Sequence, residues 1–216
     1  LDQSGHTYPE IHALKDDLLL LLQEEHAKTG NVKLVIQPKA PVFPRWSFFI
    51  PHSYPEPEAY RNGVCVKTVS YTRSNPRVKK WDGSFRSLVA RVKEHEKVYE
   101  VVLLNKEGEL TEGSRSNLFF ISRDGIIYTA PESCVLPGIT RKYILQICHE
   151  HGWEWREKAL TLQEASGMKA AFITGTSPKV LPLAMMDHLS FDPQDKVLKK
   201  IMKAYNAILQ RFLGDH

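Results

Sequence analysis

Two apolar runs, Tyr99 to Leu104 and Leu118 to Ile121, bracket a stretch that has little to offer a core: Glu109-Leu-Thr-Glu-Gly-Ser-Arg-Ser-Asn117. The runs read as buried strands, and Asn105-Lys-Glu-Gly108 after the first is a turn signal. Glu112, Gly113, Ser114, Ser116 and Asn117 offer short polar side chains and a glycine where a sheet ends. Such a segment is either a plain polar connection or the lining of a site. Its residues alone leave both open.

The remaining chain alternates helical and extended patterns. Ile11, Leu14, Leu18, Leu21 and Leu22 share a helical face in a helix entered at Pro9 and ended by Thr29-Gly-Asn31, with Gly30 as the expected left-handed cap. Val32 to Ile36, closed by Pro38, and Trp46 to Ile50 read as strands among Pro41, Pro44 and Pro51. Tyr54 to Pro57 reads as an irregular connection, and residues 63–72 as an alternating strand. The aperiodic stretch 74–83 leads to a helix over 84–97 with Phe85, Leu88, Val89 and Val92 inward. Asp124-Gly125 signals a hairpin between Leu118–Ile121 and the strand ending at Thr129. Further helices are expected over 140–151, 162–165 and 195–213, and strands over 153–157, 170–174 and 180–185. Strands joined both with and without intervening helices place the chain in a mixed α+β / α/β class.

At 216 residues and 42% hydrophobic, the chain can bury one large or two small cores. No apolar run reaches membrane-spanning length, and no signal peptide opens the sequence, so a cytoplasmic protein is expected. Cys65, Cys134 and Cys148 are odd in number and widely spaced, which favours free thiols over zinc or disulfides. His149 and His151 cannot share a helix face, so no metal site is expected. The net charge of +4 is scattered, without the basic stripe that a nucleic-acid reader needs.

Thr111-Glu-Gly-Ser-x-Ser-Asn-Leu-Phe119 resembles the central motif of the class IV aminotransferases, the fold-type IV pyridoxal-phosphate enzymes. Leu136-Pro-Gly-Ile-Thr-Arg141 and Thr174-Gly-Thr-Ser177 follow in the family's order. The resemblance runs from about Gly63 to the C-terminus. It implies a two-domain, D-amino-acid aminotransferase-like fold: residues 1–72 a partial small domain, 73–83 an interdomain stretch, and 84–216 the large cofactor-binding domain. It also implies pyridoxal 5'-phosphate as cofactor, amino-acid and 2-oxo-acid substrates, possession of branched-chain or D-amino-acid specificity as family options, and a homodimer. The reaction expected is transfer of an amino group from a small amino acid. Aminodeoxychorismate lyase-type elimination and a shortened, non-catalytic homologue are the alternatives.

Pyridoxal phosphate requires a lysine amine, an anion cradle, and a carboxylate opposite its pyridine nitrogen. By the resemblance, Glu112 is that carboxylate, with Ser116 and Asn117 beside it, and Leu136 packs on the ring. Gly138-Ile139-Thr140 opens a helix behind a Pro-Gly break, where free N–H groups and the helix dipole favour an anion. Gly175-Thr176-Ser177 is a second small polar turn on the phosphate side. The lysine is Lys79 or its neighbour Lys80. The family's Asn-Pro-x-x-Lys pattern selects Lys79, with Asp82 standing where relatives carry asparagine. A lysine in that role should be partly desolvated. Arg115 is a candidate for a substrate carboxylate, and Arg141 is expected to pair along its own helix. Leu1 falls partway into the family's small domain, so that domain is expected to be truncated and one phosphate-binding arginine missing.

Overall fold

A computed structural model describes residues 11–26, 30–37, 44–51 and 54–214. Pro9, Thr29, Pro38 and Pro41 of the expected boundaries lie outside these residues. The chain forms two units, Leu1–Ser53 and Tyr54–His216.

In the first unit, α1 (Ile11–Glu24) precedes an antiparallel pair, β1 (Asn31–Ile36) and β2 (Arg45–Ile50). Asp17 of α1 is ion-paired to Arg45 of β2. The helix covers the whole apolar pattern but ends at Glu24, ahead of the stop expected at Thr29-Gly-Asn31. The left-handed residue behind it is His26, with φ 48°, and not Gly30.

The second unit begins with α2 (Pro57–Asn62), β3 (Val64–Ser70), α3 (Gly83–Glu96) and β4 (Glu100–Leu104). It continues through β5 (Glu109–Gly113), β6 (Asn117–Ile121), β7 (Ile127–Thr129), a single 3-10 turn at Glu132–Cys134, and α4 (Ile139–Glu150). Then come β8 (Trp155–Glu157), β9 (Leu160–Thr161), α5 (Leu162–Ala165), β10 (Ala170–Gly175), β11 (Lys179–Met186), β12 (Leu189–Ser190) and α6 (Lys196–Gly214). The division falls at Ser53/Tyr54, ahead of the boundary after residue 72 that the sequence suggests, because β3 pairs in parallel with both β4 and β11. The stretch 73–83 therefore runs inside the second unit. α2, whose Pro57 stands where a missing N–H costs nothing, replaces part of the expected irregular connection.

Six strands close on themselves: β6 pairs with β10, β10 with β11, β11 with β3, β3 with β4, β4 with β5, and β5 returns to β6. The return rests on one residue pair, Glu112↔Asn117. β7 and β8 extend from β6, β9 from β5 and β12 from β11.

Alternation along the strands sorts side chains into separate cores. Val66, Val102, Leu110, Leu118, Phe120, Ala171, Ile173, Leu181 and Leu183 come from all six strands into one cluster, which is the ring's interior. The opposite positions Phe119, Ile121, Ala170 and Phe172 meet Ile144 and Ile147 of α4 and Leu198 and Ile201 of α6. Phe119 and Phe172 stack with centroids 4.9 Å apart. Strands buried on both faces read as unbroken apolar runs, which is why β4, β6 and β10 are recognisable in the sequence.

α3 packs Phe85 and Val89 on Val101 and Leu103. Its N-cap is Asp82, which accepts the Phe85 N–H at 3.0 Å and the Tyr71 hydroxyl at 3.0 Å. These bonds hold its carboxyl down at about 2.

Candidate active site

The polar stretch that opened the sequence reading is only partly a connection. Residues 109–113 are strand β5, and only 114–116 turn, with the Gly113 N–H donating to the Ser116 carbonyl at 2.7 Å. Thr111 and Glu112 are buried in that strand. Their polarity conceals a strand that pairs with the elements directly before and after it in the chain, β4 and β6.

A cavity of about 800 Å³ opens against this turn. Four segments contribute to its wall: residues 112–117, residues 136–140, residues 174–176, and the face of α3 that carries Phe85, Val89 and Ala90. Arg73, Lys79, Lys80 and Asp82 also line it, with Arg86 and Lys93 from α3. Of the residues singled out from sequence, Lys79, Glu112, Ser116, Asn117, Leu136, Gly138, Ile139, Thr140, Gly175 and Thr176 all line this one space. Ser177 lies in the β10–β11 turn outside the lining.

Glu112 is 3% exposed. Its Oε2 accepts the Leu136 N–H at 2.9 Å. Its Oε1 lies 3.0 Å from Arg73 Nε, in an ion pair too poorly aligned to be a hydrogen bond, so both buried atoms lack a hydrogen-bond partner. Burial pushes the carboxyl up to about 7, against the opposing pull of the Leu136 N–H and Arg73, while Glu100 adds to the rise.

The Leu136 peptide is gripped at both ends. Its N–H goes to Glu112, and its carbonyl accepts Asn117 Nδ2 at 2.8 Å. Asn117 is thus a strut between strand β6 and the loop before α4. Its Oδ1 fills the place a Cβ at Gly138 would take, so no side chain fits there. Gly138 is the N-cap of α4, and no side chain caps that helix. The first-turn N–H groups of a helix have no partners within it, and here the residues at that start, Gly138, Ile139 and Thr140, line the cavity. Thr140 is buried, with its hydroxyl 3.4 Å from that of Tyr205. Across the space, buried Thr174 Oγ1 has no hydrogen-bond partner.

Lys79 and Lys80 both reach the cavity and both are exposed. The desolvation expected for a reacting lysine is therefore not supplied by the described residues around it. Arg141 does not pair along its helix. Its guanidinium is buried and donates to Glu157 of β8 at 2.6 Å and to the Ala130 carbonyl at 3.1 Å. Arg115 lines the cavity from the turn.

Two residues are not marked out by the sequence. Arg73 is one of many scattered cations, and Glu100 heads an apolar strand; nothing local distinguishes either. Thr174, by contrast, opens the Thr174-Gly-Thr-Ser177 motif.

Residues 7–185 match the sequence profile of the family described as amino-transferase class IV. A branched-chain-amino-acid aminotransferase of Pseudomonas aeruginosa is 34% identical over 161 residues, covering 71% of this chain and 52% of the relative. A D-alanine aminotransferase of Bacillus licheniformis is 31% identical over 143 residues, covering 65% and 50%. The chain thus spans about half the length of these curated relatives. Among solved structures, a Legionella pneumophila protein assigned provisionally as a 4-amino-4-deoxychorismate lyase superposes with a TM-score of 0.83 at 20% identity, covering 95% of this chain and 80% of that one. The Escherichia coli branched-chain amino acid aminotransferase gives 0.76 at 22%, covering 94% and 73%. These two likenesses speak to the fold.

Proposed function

This chain belongs to the amino-transferase class IV family, and from that premise we propose that it is a pyridoxal-phosphate-dependent aminotransferase, moving an amino group between a small amino acid and a 2-oxo acid. One observation carries the reading: a buried carboxylate oxygen without a hydrogen-bond partner, an uncapped helix start and a lysine pair all line a single cavity. Branched-chain substrates are favoured by the Pseudomonas relative.

The residues fit the cofactor. Glu112 Oε1 lacks a donor that a protonated pyridine nitrogen provides, and Gly138 leaves the start of α4 free of side-chain atoms. When bound, pyridoxal phosphate supplies an aldehyde for a lysine amine and a ring that accepts the electron pair released when the substrate's Cα–H bond breaks.

The chain's own groups then divide the work. Glu112, anionic once it faces a cation, keeps the proton on the ring nitrogen. Gly138, Ile139 and Thr140 with Gly175 and Thr176 hold the phosphate through N–H groups, hydroxyls and the helix dipole. Leu136 would pack against the ring, and Ser116 and Asn117 line the wall beside it. Lys79 Nζ would anchor the cofactor and, once the substrate's amine had displaced it, would carry the proton from the substrate's Cα to the cofactor. Lys79 is chosen over Lys80 on the Asn-Pro-x-x-Lys spacing.

Trp81 and Ile139 are 71% and 74% exposed beside the cavity, which supports an assembly in which a second copy covers its mouth and desolvates the lysine. Three unpaired cysteines support a reducing, cytoplasmic setting.

The test is an absorbance spectrum of the protein with pyridoxal phosphate, followed by borohydride reduction and peptide mapping. The expected result is a reduced cofactor on Lys79, and its loss in Lys79→Ala. Absence of any adduct in folded protein refutes the enzyme reading. Pyruvate release from aminodeoxychorismate, without amino transfer, would assign the lyase reaction instead.

A further inference from the structure

Glu100 is the first residue of β4, and it is only 6% exposed. No role in the reaction falls to it, yet four donors converge on its carboxylate. Oε1 accepts the Ser114 hydroxyl at 2.6 Å and the N–H of Val101 at 2.8 Å. Oε2 accepts the Arg115 N–H and the Ser116 hydroxyl, each at 3.3 Å. Three of these donors belong to the three residues of the turn between β5 and β6.

We propose that Glu100 is a positioning residue of this site: its carboxylate sets the conformation of the 114–116 turn, and through it the places of Glu112 and Asn117 in the cavity wall. The assignment of that wall to a cofactor rests on the function proposed above.

A four-residue hairpin closed by its own Gly113–Ser116 bond needs no buried acid beneath it. Burying a carboxylate is expensive unless donors satisfy it, and here it also lies close enough to a second buried carboxylate to raise Glu112. A hydrophobic replacement would take this acceptor from two hydroxyls and two backbone N–H groups beneath the site. The arrangement is therefore all or none.

The turn's leverage follows from the ring. Glu112 immediately precedes its hairpin and Asn117 immediately follows it, and that pair is the whole of the β5–β6 closure. Glu112 and Asn117 together hold the Leu136 peptide, and so the approach to α4. Arg73 grips the turn from the opposite side, donating to the Ser114 carbonyl at 2.7 Å while its other nitrogen faces Glu112. A turn held from both sides fixes the carboxylate that would meet the ring nitrogen and the helix start that would meet the phosphate. Released at Glu100, it would let both drift while the cores around it stay packed.

The test compares the wild-type chain with Glu100→Gln and Ser114→Ala. Gln keeps the shape but offers one acceptor atom in place of two, so the Arg115 N–H loses its partner. Two quantities are read: amide hydrogen exchange of the peptide spanning 113–117 in cofactor-free protein, and the dissociation constant for pyridoxal phosphate by absorbance titration. Glu100→Gln is expected to speed exchange across the turn about tenfold, leave β4, β6 and β10 protected, and weaken cofactor binding about tenfold. Ser114→Ala, which removes one donor, should move both in the same direction by about threefold.

Exchange and affinity within about twofold of wild type in both variants overturn the proposal. So does exchange that rises equally along β4, β6 and β10, since that marks Glu100 as a general stability residue. Should Glu100→Gln not fold, Ser114→Ala alone decides by the same criteria. If the wild type binds no pyridoxal phosphate, the proposed function fails, and the local exchange contrast still reports whether Glu100 holds the turn.

Discussion

Replacing Glu112 by glutamine should change how the cofactor-free protein's stability depends on pH. Burial raises this carboxyl from 4.5 to about 7, so the folded state holds a proton that the unfolded chain has released. Between those values the native state binds more protons, and stability falls as pH rises. The loss begins near the unfolded value and levels off above the folded one. Integrated from about pH 5 to about pH 8, the penalty is about 2.5 kcal/mol, at 1.36 kcal/mol per unit. Glutamine carries no such penalty. It retains an acceptor for the Leu136 N–H but cannot pair with Arg73, so its absolute stability shifts by a further, pH-independent amount. The difference between variant and wild type isolates the ionisation. Urea unfolding of both proteins without cofactor, at the two pH values, should show the glutamine variant gaining about 2.5 kcal/mol relative to wild type at the higher pH. Equal differences at both pH values would refute the buried, raised carboxyl. Adding pyridoxal phosphate should reverse the advantage, because a pyridinium partner favours the ionised wild-type side chain.

Two further outcomes follow from the geometry. Gly138→Ala places a Cβ against Asn117 Oδ1 at an unstrained backbone position (φ −67°, ψ 140°), so the cost should fall on the site. Calorimetry should show a melting temperature lowered by only a few degrees and titration a cofactor affinity weakened about tenfold or more. Asp195 accepts the Val197 and Leu198 N–H groups at 2.8 and 3.0 Å at the start of α6 and is paired with Lys169 at 2.8 Å. Burial alone would raise its pKa, but Lys169 and the two N–H groups win and lower it, so its stabilisation is present above the ordinary carboxylate range and lost as pH falls through the folded value. Asp195→Ala should cost about 1–2 kcal/mol by urea unfolding at neutral pH, less in acid, with cofactor affinity unchanged.

Much of the second unit is written locally. β4, β6 and β10 are apolar on both faces, and each face meets its own core, so the runs identify strands before any partner is known. Asp124-Gly125 sets the β6–β7 hairpin, with Gly125 at φ 84°, through backbone preference alone. β5 was not legible, because Thr111 and Glu112 look like loop residues until β4 and β6 enclose them. Arg141 points the same way: its sequence neighbours suggest a partner along the helix, and β8 supplies Glu157 from outside it.

The sequence by itself determined the polar inventory of the site. Glycines 113, 138 and 175, the hydroxyls of the 114–116 turn and the start of α4 behind Pro137-Gly138 can be read along the chain before any tertiary partner is known. Tertiary structure alone decided how that inventory behaves. A carboxyl's pKa depends on what surrounds it, and Glu112 is surrounded by Arg73, Glu100 and Leu136, groups set beside it only when six strands close into a ring.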